Sequence, residues 1–235
     1  MVRIIPVSGW KGSGKDTFHQ YVSYGRKVVR IAYADVLKDD AAKTYNLPRE
    51  CFDAADQKEA PLLQYPVCPK DTFSKVIVDR LVDVLRYSDG SKPTMVIQNE
   101  SGYLLGLDGR QLYWTPRALA ILEGSTRRAV DSQYWVKRAL RDIDVGADTW
   151  YVITDWRYQS EFEGLMDILE KLGLGRDVVT TIRINRWAST TSQDPSERDL
   201  DDYQFDIVLD NTGDLRSFYE KIDQTLFPAG DIVTN

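Results

Sequence analysis

Nine residues near the start of the chain, GWKGSGKDT at positions 9–17, have the spacing of a phosphate-binding loop, with Gly9, Gly14 and Lys15 in place. Glycines let successive backbone N–H groups turn inward around phosphate oxygens, and a helix N-terminus behind them adds partial positive charge. Lys15 would neutralise the outer phosphates of a nucleotide as charge moves during transfer. Gly9, Gly12, Ser13, Gly14, Lys15 and Thr17 are the candidate contacts of such a ligand. The position after the lysine normally supplies a hydroxyl to magnesium. Here it is Asp16, and Thr17 comes one residue late. An acid in a first helical turn suits the helix dipole. A carboxylate is also a hard oxygen ligand for Mg²⁺. Beside phosphates its charge calls for a cation, so the metal reading is favoured, directly or through water.

A second constellation is WYVITDWRYQSE, residues 150–161. Its apolar first half reads as a strand that carries Asp155 to the carboxyl edge of a sheet, level with the loop. There Asp155 could hold water on magnesium or orient Lys15. Arg157 and Glu161 are four apart and meet on one helix face if the helix starts early. A surface ion pair explains the same spacing. His19, the one histidine, reads as facing outward from the first helix or packing there. Asp210-Asn211-Thr212-Gly213 fits the D-x-x-G of a GTPase switch. No Asn-Lys-x-Asp accompanies it, and a turn into the last helix is the simpler reading. An ATP-driven motor would show an apolar run ending in paired acids, and none is present.

These residues need a scaffold that presents strand ends and helix starts together. Apolar runs at Arg3–Val7, Val28–Tyr33, Trp150–Thr154, Val179–Ile184 and Phe205–Leu209 read as buried strands. Helical periodicity follows, most clearly at Glu161–Leu172 and Leu215–Leu226. Alternating strands and helices predict a parallel sheet covered on both faces. The long stretch Ala34–Thr149 reads as an insertion, with helices over Asp71–Tyr87 and Pro116–Arg141 and a loop or small hairpin over Ser88–Leu112. An insertion at the carboxyl side of a parallel sheet is where a second substrate would be held; a structural or oligomerisation role is the alternative.

Composition bounds the rest. With 235 residues, 43% hydrophobic and 28% charged, the chain can bury a sizeable core. A net charge of −6 argues against a nucleic-acid-binding surface but not against a local basic pocket. Cys51 and Cys68 are too few for a disulfide framework and read as incidental thiols of a reducing cytoplasm. No apolar run approaches the roughly 18 residues of a membrane span. The start of the chain has no signal-peptide pattern, so a soluble, cytoplasmic protein without a membrane partner is expected.

At this point the sequence resembles the phage-type deoxynucleoside monophosphate kinases, within the P-loop nucleotide kinases. The resemblance rests on SGKDT (13–17), ADVLKD (34–39), DQKEAPL (56–62), TPRALAILEG (115–124), RRAVDSQYW (127–135), TDWRYQSE (154–161), and PSERDL with FDIVLDN (195–211), in order over nearly the whole chain. Ser88–Leu112 matches no pattern of the family, and Gly124-Ser125-Thr126-Arg127 matches its Gly-Thr-Glu region only loosely.

The resemblance implies a three-layer α/β sandwich with five parallel strands in the order 2-3-1-4-5. It would be one domain, with the core at 1–33 and 149–235, a substrate-binding insertion at 34–148 and a lid at about 186–203. It implies ATP as donor, Mg²⁺ as cofactor and a deoxynucleoside monophosphate as acceptor. Lys15, Asp16, Arg157 and Arg128 would be catalytic, and Asp16 and Asp155 would hold the metal. Lys38, Arg117, Arg127, Arg128, Trp135, Asp155 and Glu161 would contact the acceptor, with core packing an equal reading for Trp135. Arg183, Arg186 and Arg198 are the cations available to the lid, Arg186 the nucleotide contact among them, and a solvated loop is the alternative for that segment. The protein would work in the cytoplasm, the host's if a phage encodes it, and a homodimer is compatible with the sequence. The competing readings are a P-loop kinase of another phosphorylated acceptor, phosphomevalonate-like, and an ATP-binding regulatory module without turnover.

Overall fold

A computed structural model describes residues 2–67, 80–93, 96–99, 102–105, 110–146, 148–186 and 198–227. Cys68, residues 71–79 of the first expected insertion helix and residues 187–197 of the expected lid lie outside them. The chain divides into two compact units, Met1–Ala34 with Ser132–Asn235, and Asp35–Asp131.

The first unit is an α/β layer structure around a parallel sheet. Its strands are β1 (Arg3–Ser8), β2 (Val28–Ile31), β7 (Trp150–Ile153), β8 (Ile182–Asn185) and β9 (Ile207–Asp210), in the order β2-β7-β1-β8-β9. Counted alone in chain order, these five read 2-3-1-4-5. The numbering differs because four short strands, β3 to β6, lie in the second unit. The central strand β1 is apolar on both faces, with Ile4, Ile5 and Val7 fully buried, as a strand covered on both sides must be. It pairs Ile5 with Val152 of β7 and Val7 with Ile182 of β8. Against one face pack helices α1 (Lys15–Val22) and α6 (Leu215–Leu226). Phe18, Val22, Phe218 and Ile222 meet Ile5, Val7, Val152 and Leu209 there.

Two further helices of this unit, α4 (Tyr134–Ala139) and α5 (Gln159–Lys171), pack on each other and bury Trp135, Val136, Leu165 and Leu169. The sequence suggested one helix over Pro116–Arg141. The structure breaks it at Asp131, whose backbone is extended (φ −144°, ψ 107°), so α3 (Pro116–Val130) ends before α4 begins. The second strand also stops earlier than expected. Tyr33 opens α2 (Tyr33–Thr44) because Asp155 caps that helix start, a contact 122 residues away in sequence.

The second unit has its own core of Ala41, Phe52, Leu81, Leu85, Leu112, Trp114, Ala118 and Leu119. Its strands are β3 (Arg86–Tyr87) with β6 (Leu112–Tyr113), and the hairpin β4 (Val96–Asn99) with β5 (Gly102–Leu105). Arg86–Tyr87 is therefore strand where the sequence suggested the end of a helix. Thr115 starts α3. Its hydroxyl accepts from Ala118 N (3.1 Å), donates to Val84 O (2.8 Å), and Pro116 follows in the first turn.

Candidate functional site

The loop of residues 9–14 connects β1 to α1, and its conformation depends on two glycines. A Cβ at Gly9 (φ +146°) would fall 2.4 Å from Ile184 O, so only a bare Cα fits where the loop leaves the sheet. Gly14 (φ +108°) is the N-cap of α1, and a Cβ there would fall 2.5 Å from Asn211 Nδ2. Ser13 N donates to Trp10 O at 3.0 Å and closes the loop on itself. The Lys15 ammonium folds back over this turn, donating to Gly9 O (2.6 Å) and Trp10 O (3.0 Å). Asp16 stands exposed in the first turn of α1, and Thr17 is half-buried behind it. Ser13 is buried, and its hydroxyl has no hydrogen-bond partner.

Beside the loop is a small cavity lined by Ser8, Gly9, Lys15, Trp156, Arg157, Arg183 and Leu200. Three cationic residues therefore line one space at the carboxyl ends of β1, β7 and β8, where a parallel sheet binds ligands. Arg183 belongs to the expected strand Val179–Ile184 and is counted among the cations available to the lid. The structure places it on β8, 8% exposed, donating to Ser8 Oγ (3.2 Å) and Asp201 Oδ1 (3.0 Å). Arg186, past the end of β8, is exposed and donates to Gly12 O at 3.4 Å. The described end of the expected lid, residues 198–203, is anchored here as well. Asp199 accepts from Gln159 N (2.7 Å), Leu200 is 1% exposed, and Tyr203 sets its ring edge-on to Trp156 (4.9 Å).

The two carboxylates after β7 are engaged by backbone. Asp155 accepts from Tyr33 N (2.9 Å) and Ala34 N (2.7 Å), the first N–H groups of α2. Glu161, 5% exposed, accepts from Arg157 N (2.9 Å) and Tyr158 N (3.1 Å), closing the first turn of α5 as a capping box does. Arg157 thus meets Glu161 through its backbone N–H. Burial pushes the Tyr33 phenol well above its ordinary pKa, and the charges of Glu161 and Asp155 add to the effect. His19 donates or accepts at Ser23 Oγ (3.2 Å) from a half-buried position. Burial lowers its pKa, with Arg30 contributing. Trp135 is 1% exposed with its ring edge-on to Tyr134 (4.8 Å). That position is core, with no ring face presented to solvent.

The cations expected to contact the acceptor, Lys38, Arg117, Arg127 and Arg128, lie in the second unit, and three of them sit on carboxylates. Lys38 donates to Asp53 (2.8 Å), Arg117 to Glu59 (2.7 Å) and Arg127 to the buried Glu123 (2.9 Å). Glu59 also receives Arg86 Nη2 at 2.7 Å. Burial would raise its carboxyl pKa, but the Arg117 and Arg86 guanidiniums outweigh that and hold it below the usual range. Arg128 lies along α3 against Gly124, where a Cβ would come within 3.2 Å of its Nη2.

Among the described residues no group of three or more His, Cys, Asp or Glu could cage a metal ion. The donors beside the loop are oxygens: the exposed Asp16 carboxylate, the Thr17 hydroxyl and the orphaned Ser13 hydroxyl. That set suits Mg²⁺, which is commonly held by one or two carboxylates together with substrate phosphates and water.

Asn211 is the residue whose place sequence reading missed. Its segment, singled out as D-x-x-G, is a turn before α6: Thr212 Oγ1 donates to Asp210 (2.9 Å), and Asp214 caps the helix by accepting from Ser217 N (2.8 Å). Asn211 Nδ2 meanwhile donates to Ser13 O in the loop at 2.7 Å.

No family model matches the chain. It is 26% identical, over 251 aligned positions covering 96% of this chain and all of the relative, to a deoxynucleotide monophosphate kinase of Escherichia phage RB69. Among solved structures it is similar to TT1252 from Thermus thermophilus, with a TM-score of 0.38 and 16% identity over 95% of this chain and 96% of that one. Similarity to a kinase over the full length, on a parallel α/β sheet, points to a nucleotide-binding phosphotransferase. No helix among the described residues is long and apolar enough to cross a membrane.

Proposed function

We propose that the protein transfers the γ-phosphoryl group of ATP to a deoxynucleoside 5′-monophosphate. The observation that carries this reading is the cavity where Lys15, Arg157 and Arg183 converge on the Gly9 end of the loop. Three cations in one small space suit a phosphoryl group whose charge spreads over its oxygens during transfer. The full-length relative of phage RB69 supports the choice of acceptor.

In this reading the bond between the β,γ-bridging oxygen and the γ-phosphorus breaks, an acceptor phosphate oxygen bonds to that phosphorus, and ADP leaves. The acceptor phosphate has a second pKa near 6 and is mostly dianionic at neutral pH. It needs no strong base, which accords with a chain whose one histidine has a lowered pKa and lies in α1. Catalysis is then positioning and charge neutralisation. Backbone N–H groups of residues 12, 14 and 15 would hold the β-phosphate, while Ser13 N–H keeps its bond to Trp10 O. Lys15 leaves the loop carbonyls it now occupies and turns to the outer phosphates. Asp16 would hold Mg²⁺, with Asp155 reaching it through water, and the bound ion would add positive charge at the phosphates. Arg157 and Arg183 face the transferred group. Lys38, Arg117, Arg127 and Arg128 are assigned to the acceptor, each exchanging a carboxylate contact for a phosphate where it now has one. Trp135 is assigned to the core.

An ADP-release assay with a panel of deoxynucleoside monophosphates tests the proposal. Release with at least one of them is expected at rates on the order of 1–100 s⁻¹. ATP binding without release, or release only with a different phosphorylated acceptor, would overturn the assigned acceptor.

A further inference from the structure

We infer that Asn211 is a positioning residue that sets the phosphate-binding loop, acting through the Ser13–Gly14 peptide. The inference rests on the nucleotide-binding reading of that loop. Asn211 follows the last residue of β9. Its backbone N donates to Asn185 O at 2.8 Å, extending the β8–β9 ladder one step beyond the strands. The side chain is thereby pinned at the sheet's carboxyl edge, 8% exposed. From there Nδ2 donates to Ser13 O at 2.7 Å, a buried bond spanning 198 positions of sequence.

Peptide planarity makes this bond consequential. In a trans peptide the C=O of one residue and the N–H of the next point in opposite directions. Holding Ser13 C=O toward Asn211 therefore aims Gly14 N–H to the other side, and that N–H is one of the donors a phosphate would meet at the start of α1. Gly14 itself has no room to turn. A Cβ on it would lie 2.5 Å from Asn211 Nδ2 and 3.6 Å from Phe218 Cε1, so the bare Cα is packed between the amide and α6. A loop with three left-handed glycines would otherwise sample many arrangements. One amide, anchored to a strand rather than to the loop, selects among them before ligand arrives.

The test is equilibrium binding of MgADP and, separately, of adenosine, which has no phosphate, to the full chain and its variants. Asn211→Asp keeps shape but sets a carboxylate oxygen against Ser13 O; Asn211→Leu removes the donor with nearly the same volume. Both are expected to weaken MgADP binding about tenfold or more, the scale of one lost buried hydrogen bond with its partner left unsatisfied. Adenosine affinity should stay within about twofold. Ile222→Val, a packing change on α6 away from the loop, is the control and should leave MgADP affinity unchanged. The inference is overturned if the Asn211 variants bind MgADP as the parent does, or lose MgADP and adenosine equally. It is also overturned if Ile222→Val loses as much MgADP affinity. These results are separable from the acceptor assignment, since the readout needs no turnover. A parent chain that binds no MgADP would overturn the nucleotide reading itself and this inference with it.

Discussion

At the residue scale, the meaning of Asp16 turns on what it touches. It stands exposed in the first turn of α1, so it serves the helix dipole whether or not it serves a metal. The two roles differ in magnitude. A surface carboxylate at a helix start contributes about 0.3–1 kcal/mol, whereas loss of a magnesium carboxylate at a phosphoryl-transfer site costs rate by orders of magnitude. Asp16→Asn should therefore lower kcat at least a hundredfold, on the order of one lost electrostatic contact to the transition state, and leave thermal unfolding within a degree or two. Steady-state kinetics over a magnesium titration, beside a melting curve, check this. Retained activity would make Asp16 a helix-start residue only. The spacing of Gly9, Gly14 and Lys15 was legible because a phosphate loop is local, nine residues carrying its own geometry. The Asn211 amide and the Asp155 cap were not legible, because each is a single long-range bond that leaves no periodicity behind.

At the element scale, the sheet could be read from its apolar runs, and the ends of its strands could not. Val179 and Ile207 show why. Both belong to apolar runs, yet Val179 makes only an isolated bridge to Ile4, and β8 begins at Ile182. What sets this edge is Asp206, which accepts from Thr181 N and Oγ1 (2.8 Å each) and from Arg176 Nη2 (2.5 Å). Burial would raise the Asp206 carboxyl pKa, but Arg176 and Thr181 outweigh it and hold the value below the ordinary one. A depressed folded-state pKa gives stability that is present above the unfolded value, about 4, and is lost as pH falls through the folded value. Asp206→Asn should therefore melt lower than the parent at pH 7, and the two melting curves should converge as pH drops below about 4. The drop at pH 7 should be a few degrees at most, since both side chains of the Arg176 pair are 41% exposed and solvent screens them. A difference that persists undiminished in acid would assign the effect to packing instead. In the second unit the β4–β5 hairpin falls within the loop or small hairpin expected over Ser88–Leu112, whereas β3 and β6 escaped the sequence because they hold two residues each, too few to alternate visibly.

At the scale of the whole molecule, the proposed ligand should register as a change in stability. A ligand bound only by the folded state stabilises it by RT ln(1 + [L]/Kd), about 2.7 kcal/mol at a hundredfold excess over Kd. For a chain of 235 residues, 1 kcal/mol moves the midpoint by about 2–4 °C. MgATP at that excess should thus raise the melting temperature by about 5–10 °C. The loop, Lys15 and Arg183 all lie in the first unit, Met1–Ala34 with Ser132–Asn235, so the protection belongs there. Hydrogen exchange should slow first at the amides of residues 9–17 and at the start of α1. Lys15→Ala should abolish most of the shift while leaving the unliganded midpoint close to the parent's, because the ammonium now bonds two carbonyls of the same loop rather than the core. If MgATP shifted Lys15→Ala and the parent equally, the stabilising site would lie elsewhere on the molecule. The convergence of Lys15, Arg157 and Arg183 would then have to serve an anion other than a nucleotide phosphate.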